Sequence, residues 1–130
     1  EEYRSNLTKL QADLDALDAR LTTTLKPLSG KNFFIFHPSL GYFARDYGLV
    51  QHAVEHEGKS PGPRHRSKLV ALARASGVKT IFVEPQFSQR AANVIAEEIG
   101  GKTVMLDPLS EDYINNMEQI AEEFQKALKP

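Results

Sequence analysis

At 130 residues the chain is the size of one ordinary domain and can bury a core without staples. Its net charge of −1 lacks the basic excess that a nucleic-acid or anionic-membrane surface needs, so no nucleic-acid partner is expected. The absence of cysteine excludes disulfides, thiolate zinc sites and cysteine nucleophiles together.

Residues 1–28 place leucine at positions 7, 10, 14, 17 and 21, in steps of three and four, which stripes one face of a helix. Pro27 and Gly30 end it. The stripe suits either a helix lying on its own domain or a seam over residues 7–25 that could pair two copies. The opening EEYRSNLTKL reads as helix interior, so the chain is expected to be part of something longer, with any export signal upstream.

After Gly30 short apolar runs alternate with helical stretches. FFIFH (33–37) reads as a buried strand, and a short helix closed by Gly48 follows. LVQHAVEH (49–56) is a more polar strand, nearer an edge. EGKSPGP is a loop, and residues 63–77 form an amphipathic helix with proline in its first turn. TIFVE (80–84) and TVMLD (103–107) read as two further buried strands, separated by a helix over 88–101 with Ser88 as N-cap. A last helix spans 110–129 with Ser110 as its expected N-cap. Four strand–helix repeats predict a four-stranded parallel doubly wound sheet, helices on both faces, strand order 2-1-3-4, over residues 30–130. The helix of residues 1–28 precedes it.

Three of the apolar runs end alike, in FHP, VEP and LDP, with His37, Glu84 and Asp107 each before a proline. In doubly wound sheets ligands bind outside the carboxyl ends of the strands. The order 2-1-3-4 makes these three strands neighbours. An imidazole and carboxylates on one rim suit a divalent cation such as zinc, and the prolines would hold the preceding residues extended. The competing reading is structural, because Asp-Pro is an ordinary turn initiator and Glu84 could pair with Arg90 or cap a helix. His56, beside Glu55, could approach the same rim or sit in a solvated loop. Nucleotide-binding glycine motifs and a nucleophile elbow are absent.

Beyond these patterns, FFIFHPSLGYFARDYGL, GKSPGPRHRSKLVALA and GVKTIFVEPQFSQRAANVIAEEIGGKTVMLDPL resemble the C-terminal lobe of the zinc- and manganese-binding solute-binding proteins of bacterial ABC transporters. The likeness runs from about residue 30 to 128, and the leucine-striped start looks like the helix that connects the two lobes in that family. The resemblance implies a periplasmic or cell-surface lipoprotein that carries Zn2+, or alternatively Mn2+, to a membrane permease. It implies His37 and Asp107 as ligands, with Glu84 at the rim or behind the ligands. Pro38 departs from the family pattern, which often has an acid there. The N-terminal lobe, which supplies two more histidines in that family, is missing from these residues, so weak binding is expected. Two other readings stay open: a metal-dependent hydrolase with Glu84 as base, and an interaction module dimerising through its first helix.

Overall fold

The computed structural model describes residues 1–129. In chain order it comprises α1 (Glu2–Leu25), a 3₁₀ turn (Lys26–Leu28), β1 (Asn32–Ile35), α2 (Gly41–Tyr47), β2 (Val50–Ala53), α3 (Pro63–Ala75), β3 (Thr80–Val83), α4 (Gln89–Glu98), β4 (Lys102–Met105) and α5 (Tyr113–Leu128). All strand pairings are parallel, in the order β2-β1-β3-β4. This is the doubly wound arrangement that the strand–helix alternation predicts.

The two-residue period of a strand explains how the core divides. Phe33 and Ile35 face one side of the sheet, Phe34 and Phe36 the other, and all four are buried. The first side packs on α1, α2 and α5 through a cluster that includes Phe43, Phe82 and Phe124. Phe124 stands edge-on to Phe33 with ring centroids 4.7 Å apart, and 4.8 Å from Phe82. The second side packs on α3 and α4 through Leu69, Ala73, Ile81, Ala92 and Ile95. Each large apolar side chain so buried contributes about 1.5–3 kcal/mol against the entropy of ordering the chain.

β1 and β3 are central and wholly buried apart from Asn32, whereas β2 is a half-exposed edge, as its polar character predicts. β4 differs from its expected burial. It is the opposite edge, and Met105 is more than half exposed, while Leu106 beyond it points into the core. Gly101 leads into β4 with no room for a side chain, since a Cβ there would lie 2.1 Å from the carbonyl oxygen of Lys79.

Two helix ends follow capping chemistry, and one expected cap does not form. Ser88 accepts from the backbone N–H of Ala91, and Gly48 closes α2 with φ +74°. Ser110 does not cap α5. The helix starts at Tyr113 behind Asp112, because residues 107–109 form a separate turn described below.

α1 splits its leucine stripe. Leu17, Leu21 and Leu25 are buried against the body, and Arg20 pairs with Glu118 on α5. Leu7, Leu10 and Leu14 are exposed, as is every residue from 1 to 16. The seam expected over residues 7–25 is therefore half consumed by the chain's own core. Pairing of two copies would have Tyr3 and those three leucines to use. Among the described residues no helix is long and apolar enough to cross a membrane.

Candidate metal centre

The carboxyl ends of β1 and β3 meet at Glu84. Its side chain is 1% exposed, yet its carboxylate has two partners. Oε2 accepts from the backbone N–H of His37 at 3.2 Å, and Oε1 accepts from the Ser39 hydroxyl at 2.8 Å. A buried carboxylate without such donors would be strongly unfavourable. Its backbone carbonyl accepts from the Phe87 N–H at 3.1 Å and from the Gln89 amide at 3.3 Å. Glu84 thus ties the turn after β1 to the turn after β3. It pairs with neither Arg90 nor a helix end.

His37 stands on that tie. Its side chain is 42% exposed, and Nδ1 lies 2.6 Å from Oε1 of Glu55, whose side chain is only 8% exposed. Phe87 stacks on the imidazole with centroids 4.7 Å apart and planes 11° from parallel. Nε2 has no hydrogen-bond partner among the described residues. Leu40 begins α2 with its N–H donated to Oε1 of Gln51 at 2.9 Å, so β2 fixes the far side of the same turn.

Asp107 follows β4, on the other side of β3. Its Oδ1 accepts from the Leu109 N–H at 3.0 Å and from the Gln86 amide at 3.3 Å. The first of these closes an Asx turn, so the structural reading of Asp-Pro holds for one oxygen. Oδ2 is left with no hydrogen-bond partner among the described residues, and the Asp107 carbonyl accepts from Asn116 of α5 at 2.8 Å. β1 and β4 flank β3, so His37 and Asp107 rise from strands about 10 Å apart. Their open atoms, an imidazole nitrogen and a carboxylate oxygen, match the donor types that zinc accepts. Among the described residues no three histidine or acidic side chains form a ready cage.

His56 goes elsewhere. Its backbone bridges to Lys59 in a tight turn containing Glu57 and Gly58, both with positive φ. Its ring lies 4.8 Å from that of His65 on α3. Successive residues of an extended chain point to opposite sides, so when Glu55 reaches His37 its neighbour faces α3. Glu55 is the site residue that the sequence did not single out. Its only signal was its place at the end of the strand paired with β1.

Fold and rim define a doubly wound α/β unit whose chemistry-bearing side chains gather at the carboxyl edge of a parallel sheet. The chain belongs to the family described as ZnuA, zinc-uptake complex component A, periplasmic, which matches residues 1–127. It is similar to the high-affinity zinc uptake system protein ZnuA of Yersinia pestis, 27% identical over 99% of this chain and 43% of that protein. The ZnuA of Bacillus subtilis is 34% identical over 84% of this chain and 35% of that protein. A crystal structure of ZnuA superposes with a TM-score of 0.94 at 38% identity, covering 98% of this chain and 50% of that one. A zinc-bound ZnuA deletion mutant gives 0.92, also at 38% identity, with 98% and 49% covered. The chain therefore spans half or less of the length of these relatives.

Proposed function

We propose that residues 30–130 are the C-terminal lobe of an extracytoplasmic solute-binding protein that captures a divalent cation for an ABC importer, with residues 1–28 as the helix connecting it to a second lobe. Zinc is the cargo this reading favours, and manganese is the alternative. His37 and Asp107 each donate one atom to the ion above the end of β3, and the other lobe completes the shell. Binding and release to a membrane permease, in the periplasm or at the cell surface, is the activity; no bond is made or broken.

The observation that carries the reading is the exposed imidazole of His37, held at the strand ends of a fold whose family and relatives are named for zinc uptake. A hydrolase would need a free base beside the ion. Glu84 is buried with both oxygens engaged, which argues against that role.

The test is a calorimetric zinc titration of this chain beside His37→Ala and Asp107→Ala, with manganese as second titrant. Weak one-to-one zinc binding that both substitutions abolish is the expected result. Zinc binding that neither substitution changes would remove both residues from the site and sink the reading.

A further inference from the structure

We propose that Glu55 is a positioning residue: its carboxylate sets the tautomer and the plane of the His37 ring, so that Nε2 meets the cation with its lone pair. The cation in this statement rests on the function proposed above, but the arrangement of the ring belongs to the metal-free protein and can be tested without it.

A carboxylate can only accept, so the 2.6 Å contact requires Nδ1 to be the protonated nitrogen of the neutral ring. A neutral imidazole carries one N–H, which leaves the lone pair on Nε2, the nitrogen with no protein partner. Ring rotation is restricted as well. Phe87 covers one face of the imidazole at 11° from parallel, and the His37 N–H is held by Glu84. Glu55 is itself fixed, since its backbone N–H donates to the Phe36 carbonyl at 3.0 Å and its side chain is 8% exposed. Burial separates the two roles: the orienting carboxylate is enclosed, and the imidazole it orients is open to solvent.

The position after His37 is a proline and offers no carboxylate. Glu55 brings one to the ring from the end of β2, across the strand pairing of Ile35 with Ala53. Outer partners of ligand histidines typically raise metal affinity about 10–100-fold by fixing the tautomer and the ring orientation.

The experiment uses nitrogen-15-labelled chain without metal, at a pH where histidine is neutral, and reads the two ring nitrogens of His37 by long-range proton–nitrogen correlation. The native protein should show a protonated Nδ1 and a bare Nε2. Glu55→Ala should shift His37 towards a mixture of tautomers, while Glu55→Gln, which keeps an acceptor oxygen, should retain the native pattern. A proton on Nε2 in the native protein, or a pattern that Glu55→Ala leaves unchanged, overturns the proposal. Zinc titration of the same proteins should show about 10–100-fold weaker binding for Glu55→Ala, with much of it restored in Glu55→Gln. A loss as complete as that of His37→Ala would mean that Glu55 holds the ion itself, which also overturns it. Failure of the native chain to bind zinc would count against the function proposed above, and the tautomer pattern would still decide this inference.

Discussion

Replacing Glu84 by alanine removes the acceptor that ties two donors of the turn after β1 to the end of β3. The His37 N–H and the Ser39 hydroxyl both donate to its carboxylate, and Glu84 is 1% exposed. A hydrogen bond to a charged group contributes at least about 1.5 kcal/mol, so losing both should cost about 3 kcal/mol. With a urea slope of about 2 kcal/mol per molar, the unfolding midpoint should fall by about 1.5 M. Circular dichroism at equilibrium measures this, with Glu111→Ala at an exposed position as the control. Glu84→Gln keeps one acceptor but turns an NH2 towards the other donor, so its midpoint should lie between native and alanine. A midpoint for Glu84→Ala within about 0.25 M of native, the range of an ordinary surface substitution, would show that the two bonds do not hold the rim together.

Phe124→Ala opens the aromatic cluster between Phe33, Phe43 and Phe82 and should cost about 3–5 kcal/mol in the same assay. Gly101→Ala meets the Lys79 backbone, whereas Gly58→Ala has open space and suffers only the left-handed strain of about 1–2 kcal/mol. Equal losses in the two alanine variants would contradict the close approach at Gly101. Burial pushes the His52 imidazole below its usual pKa of 6.5, where it stacks on Phe34 and its Nε2 meets Asn32. Folding therefore favours the neutral ring, and its contribution is complete above about pH 6.5 and is lost as pH falls below that value. Unfolding midpoints of His52→Gln and native protein compared from neutral to mildly acidic pH should show a shallower decline for the variant.

The strand order and the two central strands were legible because buried parallel strands announce themselves as unbroken apolar runs. β1 and β3 are such runs, and the polar β2 is the edge it reads as. β4 misled because Met105 and Val104 are apolar on an edge, where one side of the strand has no neighbour. The start of α5 was missed because Asp107 spends one oxygen on its own turn, which delays the helix past Ser110. At the rim, His37 and Glu84 were legible as strand ends, but how they bond was not. Glu55 contacts a residue 18 positions earlier in the chain, and that contact follows from the β1–β2 register rather than from any local spacing. His56 looked the better candidate by residue type, and the alternation of the backbone gave the place to its neighbour.

The division of α1 has a mechanical consequence. A helix of 24 residues is about 36 Å long, and the three leucines that seat it lie in its last nine residues. The rest is a stiff lever with its fulcrum at Leu17. The first turn lies about 22 Å from that fulcrum, so each degree of rocking there displaces it by about 0.4 Å. The aim of the far end is therefore governed by how tightly the three leucines, the Arg20 pair with Glu118 and the Tyr47 hydroxyl donating to Asp18 grip the near end. Trimming a single leucine of that grip would loosen the pointing as well as weaken the core it shares with the sheet.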